Sequence, residues 1–294
     1  METVSLNPIC CMRTCFKTKN GTPRQPSISS STRGQLTIDK SIFTNPEHSL
    51  DGLEEFAYVW VLFSFHLNQN KGVKAKVRPP RLDGAKRGVF ATRSPHRPNP
   101  IGLTLAKLEK VNGSTLTLSG LDIVDGTPIL DIKPYIKQYD FPSETDSETE
   151  SDNSNVETCV KSDQATRKRD NTEKVESSES NEPSSMKSTL PDLIVVFTCR
   201  AEADLSIYSK GNKLDVTSEY RLEHISNAED LRSSIEDILK ADPRSTYRRN
   251  KCCDRLYYFL IDNCHVTAWF DYSTFPNTAE VLRVKPESKI VSSS

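Results

Sequence analysis

Ile101-Gly-Leu-Thr-Leu-Ala-Lys-Leu108, then Asn112-Gly113, then Leu116-Thr-Leu-Ser-Gly120 is the stretch that decides the fold class. Leucines and threonines alternate in the returning arm, the period-2 pattern of a strand with one face on a core. Asn-Gly accepts the positive φ that a tight hairpin turn demands. The stretch therefore predicts an antiparallel hairpin. Working outward, Leu121-Asp-Ile-Val-Asp-Gly-Thr-Pro128 leads into a further extended segment, Ile129 to Tyr135. Upstream, Ala57 to Phe65 is a nine-residue aromatic and β-branched run, which predicts a strand buried on both faces. Gln35–Asp39 alternates like an edge strand, and residues 4–16 form an extended segment ending at Cys15-Phe16. Val89-Phe90-Ala91 also reads as a strand, and Leu50 to Phe56 as one helical turn capped by Ser49 or Asp51. Many short strands, frequent turns and no long helix predict a mainly β unit, a small barrel or a sandwich.

Between two of these strands lies Gly88 to Gly102, with prolines at 95, 98 and 100 around Arg93, His96 and Arg97. Proline fixes φ and biases the preceding residue toward extended geometry. The loop is therefore stiff and holds two guanidiniums and an imidazole in set directions. A second stiffened turn, Thr22-Pro-Arg-Gln-Pro26, carries Arg24 and Gln25, a fork of donors beside an amide. The plain alternative for each is a connecting loop with scattered charge. His66, at the end of the apolar run, is read first as a structural histidine and second as a binding residue. From Lys71 to Arg97, nine cations face the single acid Asp83, a density suited to a polyanion such as nucleic acid or to a solvated surface.

The 294 residues carry a net charge of −1 that conceals a strong asymmetry. Residues 1–140 hold 19 Lys/Arg and 12 Asp/Glu, residues 141–190 hold 6 and 12, and residues 191–294 hold 14 and 16. The middle block has 11 serines and almost nothing large and apolar, so it cannot bury enough surface to offset chain entropy. The expected organisation is a domain over 1–140, a disordered acidic linker over 141–190 and a small α+β C-terminal domain over 191–294. In the last, Asp192–Thr198 predicts a strand, and Ala228–Lys240 an amphipathic helix capped by Ser226 or Asn227. Leu256–Ile261 and Val266–Phe270 predict a hairpin, and Glu280–Val284 a final strand. Arg244, Tyr247, Arg248 and Arg249 are candidates for a nucleic-acid contact or a dimer prop. The eight cysteines show no C-x-x-C spacing, which gives no zinc site and leaves no metal expected. The N-terminus lacks an apolar leader, and no run approaches about 18 apolar residues. Free thiols then point to a reducing, cytoplasmic setting and to no membrane partner.

Dinucleotide, P-loop, zincin and nucleophile-elbow motifs are absent. Asp122, Asp125 and Asp131 offer acceptors, hard-cation ligands or a general base. Residue chemistry alone reaches a β domain that binds an anionic, nucleic-acid-like partner.

Thr22–Pro26, Gly52-Leu-Glu54, Trp60–Phe63 with Phe65-His66, Pro79-Pro-Arg-Leu82, Gly88–Gly102, Asp122–Pro128, Asp131–Tyr135 and Asp242-Pro-Arg-Ser-Thr-Tyr247 occur together and in order. This combination resembles the TsaA-like β-barrel tRNA (adenine(37)-N6)-methyltransferases, especially their vertebrate members. The resemblance implies a small β-barrel methyltransferase domain unlike the Rossmann enzymes. It further implies methyl transfer from S-adenosylmethionine to N6 of threonylcarbamoyladenosine at position 37 of threonine tRNA, contact with the anticodon arm, and a homodimer with cofactor near the subunit interface. Carried onto matching positions, cofactor contacts fall at Pro26, Ser27, Ile28, Leu67, Asn68, Arg93, Leu103, Ser119, Gly120, Leu121 and Asp122. Asp122 and Asp125 are the expected catalytic proton acceptors. The expected geometry brings Arg24, Arg93 and Asp122 to one barrel rim. The alternatives are a non-catalytic RNA-binding barrel and a methyltransferase acting on a small molecule.

Overall fold

The computed structural model describes residues 5–68, 73–79, 85–141, 193–211, 218–273 and 275–288. The expected 141–190 linker, apart from Phe141, lies outside these residues, as do Lys71 and Arg81 of the basic stretch.

Six antiparallel strands close into a barrel. They are β1 (Cys10–Thr14), β2 (Arg33–Thr37), β3 (Tyr58–Ser64), β6 (Ile101–Asn112), β7 (Thr115–Ser119) and β8 (Pro128–Pro134), in spatial order β1-β2-β7-β6-β3-β8. A two-stranded pair, β4 (Lys76–Val77) with β5 (Arg87–Gly88), stands apart. Alternation explains the closure. Met12, Leu36, Val59, Val61, Leu116, Leu118 and Ile129 point inward and form one core. Leu36 faces Leu116 across β2 and β7, so the predicted hairpin supplies one wall of that core. Gly113 takes the turn with φ +56.

The run 57–65 departs from its prediction. Only Val59, Val61 and Phe63 are buried, whereas Tyr58 is exposed and Trp60, Leu62 and Ser64 are half-buried. A closed barrel has a single interior, and one face of β3 fills it. Tyr135 packs edge-on against the outward Trp60, at 6.0 Å. Residues 89–91 are not a strand but a 3-10 turn that buries Val89 and leaves Phe90 exposed. The helical turn predicted for 50–56 is two 3-10 turns, Pro46–Leu50 and Leu53–Glu55. They follow Asn45 and Gly52, not the expected caps.

A separate short helix, α1, spans Lys137–Asp140. In the C-terminal part, β9 (Ile194–Phe197), β10 (Tyr257–Ile261), β11 (Cys264–Asp271) and β12 (Thr278–Pro286) form a sheet in the order β10-β11-β12-β9, with β9 parallel to β12. Helices α2 (Cys199–Gly211), α3 (Ala228–Lys240) and α4 (Thr246–Lys251) complete it. Asn227 is the cap of α3, its side chain accepting from Asp230 N at 2.8 Å. Leu231, Ile235, Ile238 and Leu239 are the buried stripe. Sequence reasoning missed α2, whose weakly amphipathic run carries no clear period.

This lobe and the barrel share chain. Beyond β1, Cys15 and Phe16 are fully buried in the C-terminal core, and Asp262 N donates to Cys15 O at 2.6 Å. Arg24 donates to Pro243 O at 2.9 Å, and Arg33 pairs with Asp230 at 3.3 Å. Among the described residues no helix is long and apolar enough to cross a membrane.

Candidate active site

One mouth of the barrel is built from the ends of β1, β3 and β7 and the starts of β2, β6 and β8. Its floor is the loop from Leu121 to Thr127. That loop is stitched to β1 by Thr14 Oγ1 to Ile123 O at 2.9 Å and Gly126 N to Met12 O at 2.8 Å, and to the segment just after it by Asp125 N to Phe16 O at 2.7 Å. Opposite stands the proline loop. Phe65 N donates to Pro100 O at 2.8 Å and Asn68 Nδ2 to Pro95 O at 3.0 Å, which ties the end of β3 to it. Arg97 turns inward on its own loop, donating to Thr92 O at 2.7 Å, and lies 5.9 Å over the Phe90 ring. The predicted stiffness thus has a second source besides proline: Arg97 is a brace.

Between floor and loop is a cleft of about 430 Å³ lined by Phe63, Phe65, His66, Leu67, Asn68, Pro95, His96 and Asp122. Phe63 and Phe65 meet edge to face at 5.2 Å. Three buried polar atoms at this mouth have no hydrogen-bond partner: Asp122 Oδ1, His96 Nδ1 and Thr104 Oγ1. Buried polar groups are nearly always paired, so three orphans together mark a place built for something else. Burial raises the Asp122 carboxyl above the usual range; the Thr104 hydroxyl, its own backbone and the Arg93 charge pull the other way without cancelling this. The Thr104 hydroxyl lies close enough to Asp122 to act on it as a hydrogen-bonding group, although the two side chains do not reach ordinary hydrogen-bond geometry. Desolvation, then the nearby Lys19 charge, lowers the pKa of His66 and favours the neutral imidazole. The Lys19 ammonium donates to Leu67 O and fixes the wall beside it.

The positions singled out in the sequence separate into groups. Leu67, Asn68 and Asp122 line the cleft, with His66 and His96. Arg93 is exposed and does not line the cleft, but it is felt at Asp122 through charge. Pro26, Ser27 and Ile28 form a 3-10 turn, and a Cβ at Gly120 (φ +65) would sit 3.5 Å from Pro26 O, so these two segments touch. Leu121 is fully buried in the barrel core. Ser119 Oγ donates to Glu109 at 2.6 Å, and Leu103 stands on the outer wall opposite Leu62, 46% exposed. Asp125 does not line the cleft: Thr14 N donates to it at 2.9 Å and Arg13 pairs with it at 3.4 Å. The turn that carries Arg24 does share the Asp122 cleft, through Thr22 and Pro23, but the Arg24 side chain does not line it and donates to Pro243 O in the C-terminal lobe. Arg244 is also withdrawn from a nucleic-acid role. It is 4% exposed, paired with Asp242 at 2.9 Å and stacked 3.7 Å over Phe270. Sequence reasoning passed over Thr104. Its signal was a hydroxyl between Gly102 and Ala106 on the inward face of β6.

The family model described as the tRNA-methyltransferase O N-terminal domain matches residues 11–141. A mouse tRNA (adenine(37)-N6)-methyltransferase is 37% identical over 97% of this chain and 90% of its own length. The chain belongs to the tRNA (adenine(37)-N6)-methyltransferase family. A Pseudomonas aeruginosa protein named a putative S-adenosylmethionine-dependent methyltransferase, RcsF, is 45% identical over 47% of this chain and 57% of its own length. A crystal structure of TrmO superposes with a TM-score of 0.61 at 27% identity, covering 97% of this chain and all of that one. The family likeness thus extends through the C-terminal lobe in the mouse relative and in the TrmO structure, whereas RcsF matches about half the chain.

Proposed function

We propose that this chain transfers the methyl group of S-adenosylmethionine to N6 of threonylcarbamoyladenosine at position 37 of threonine tRNA, in the cytoplasm, with Asp122 as the proton acceptor. That it is a tRNA methyltransferase using S-adenosylmethionine follows from the family; the modified base, the tRNA and the residue roles are the proposal. One observation carries it: Asp122 lines a nucleoside-sized cleft with its carboxylate desolvated and one oxygen left without a hydrogen-bond partner.

The residues fit such a cofactor. Aromatic edges from Phe63 and Phe65 suit a purine, and Asn68 on the same wall would meet one of its polar edges, whereas the Pro26–Ile28 turn does not line this cleft and would contact the cofactor only beyond it. Arg93 would pair with the methionine carboxylate. A bound sulfonium supplies an already activated methyl, so the protein's work is alignment. N6 is a poor nucleophile because its lone pair is delocalised. The Asp122 carboxylate would take the N6 proton as the methyl passes from sulfur to N6 and the sulfonium is left as a neutral thioether, and its raised pKa makes it a better base than an exposed aspartate. A neutral His66 adds no repulsion toward a sulfonium. The exposed Lys74, Lys76, Arg78, Lys86 and Arg87 on and beside β4 and β5 would meet the anticodon-arm phosphates. A second copy would cover the outer wall at Tyr58, Trp60, Leu62 and Leu103, giving a homodimer.

The test is nucleoside mass spectrometry of threonine tRNA from cells with and without the protein, together with turnover on stem-loops with and without the threonylcarbamoyl group. N6-methylated threonylcarbamoyladenosine should vanish with the protein, and only modified stem-loops should react. Equal activity on both stem-loops would refute the substrate assignment. An absence of cofactor binding by calorimetry would favour the non-catalytic RNA-binding barrel.

A further inference from the structure

A second, larger cleft of about 700 Å³ adjoins the first and shares Lys19, His66, Leu67 and Asn68 with it. Its far wall belongs to the C-terminal lobe: Tyr258 of β10 and His265 of β11 lie with ring centroids 5.4 Å apart at 36°. Tyr258 is 45% exposed, so a large π surface faces solvent inside a concavity. Among the described residues no carboxylate lines this cleft; its polar groups include the Lys19 ammonium and the Asn20 and Asn68 amides.

We propose that Tyr258, with His265 beside it, is a stacking platform for the nucleobase next to the one presented to Asp122. The inference rests on the reading of the Asp122 cleft as the methyl-transfer site. A base taken out of a loop into that cleft leaves its neighbour without a stacking partner. A sequence-tolerant substitute is an aromatic face beside a cation, flanked by amides that meet base edges. No carboxylate in the lining opposes a phosphate, and Glu287, whose charge reaches His265, is itself paired with Lys17 at 2.8 Å. Tyr258 is therefore a positioning residue for RNA, in a lobe that holds none of the proposed chemistry.

Binding is read by fluorescence anisotropy with the full chain and a labelled threonine-tRNA anticodon stem-loop. Companion stem-loops are abasic at the position 5′ or 3′ to the target. Tyr258→Ala should weaken binding of the intact stem-loop by about 5- to 100-fold, leave calorimetric cofactor affinity unchanged, and be rescued by Tyr258→Phe. One abasic stem-loop should bind the wild-type protein as weakly as the intact loop binds Tyr258→Ala, with no further loss when both are combined. Unchanged stem-loop binding by Tyr258→Ala, or fully additive losses, would overturn the proposal. A parallel loss of cofactor affinity would also overturn it, because the wall would then serve the cofactor. Methylation by the wild-type protein, measured on the same samples, reports separately on the proposed chemistry.

Discussion

Each lobe buries a carboxylate, and the two are treated in opposite ways. In the C-terminal lobe Asp262 is 1% exposed and accepts from three consecutive backbone N–H groups, those of Glu223, His224 and Ile225, at 2.8–3.1 Å. Its backbone has φ +55, and its own N–H holds Cys15 O. Every part of that residue is spent on joining segments. Asp122 at the barrel mouth has an oxygen equally hidden from water and nothing on it. A saturated carboxylate fixes a fold; an unsaturated one at a cleft is held ready for a proton. Asp242 repeats the first pattern, with Arg244 at 2.9 Å and the Tyr272 hydroxyl at 2.8 Å.

The sharpest way to break this contrast is to remove each charge in turn. Asp122→Asn should lower methyl transfer by about a hundredfold or more, the range typical of a positioned acid or base. It should not lower the melting temperature. The sign follows from linkage. Between its unfolded and its raised folded pKa, Asp122 binds more protons in the native state, so its ionisation costs stability as pH rises through that window. Asparagine removes that cost, and a modest rise in melting temperature at neutral pH is expected by calorimetry. Asp262→Ala should do the reverse. Three donors lose their acceptor, and urea unfolding should show a loss of about 3 kcal/mol, while the remaining folded protein keeps its turnover per molecule. Should Asp122→Asn unfold the chain and Asp262→Ala spare it, the division of roles is wrong.

How much of this contrast could be read in the sequence depends on distance along the chain. The barrel strands and α3 were legible because alternation and the 3.6-residue period are local, and Asn227 with its helix needs only four residues to declare itself. The stiff loop was legible from its prolines, but its bracing by Arg97 was not. Asp122 and Asp125 are indistinguishable three residues apart in sequence. Only the register of β1 against the 121–127 loop assigns Asp125 to Thr14 and Arg13. Arg24 and Arg93 sit in similar proline-flanked turns, yet the first reaches a carbonyl 219 positions away. No pattern in either turn encodes that partner. The run 57–65 misled for the same reason: composition reports that a strand packs, not whether one face or two are covered.

A smaller effect sharpens the claim that the cleft wall is tightly fitted. A Cβ at Gly102 would lie 2.3 Å from the Phe63 ring, which lines the cleft and meets Phe65. Gly102→Ala should cost about 1–3 kcal/mol by overpacking, and cofactor affinity should fall with it because the displaced ring moves into the cleft. A loss of stability with cofactor affinity intact would mean that Phe63 yields toward the core and that the wall is less determined than its geometry implies.

The finest test concerns Arg93, whose positive charge offsets part of the burial that raises Asp122. With Arg93→Gln that offset disappears, and the Asp122 carboxyl rises further. If methyl transfer requires the carboxylate, the acid limb of the kcat/KM profile moves to higher pH, and Arg93→Lys restores it because charge, not the guanidinium fork, sets the potential at Asp122. The proposed pairing of Arg93 with the methionine carboxylate predicts something different: weaker cofactor binding at every pH, only partly recovered by lysine, which lacks the bidentate fork. The two effects separate cleanly, since the first disappears well above the acid limb and the second does not. A limb that stays in place in Arg93→Gln would disconnect Asp122 from the observed protonation and leave its unpartnered oxygen without the role argued for it.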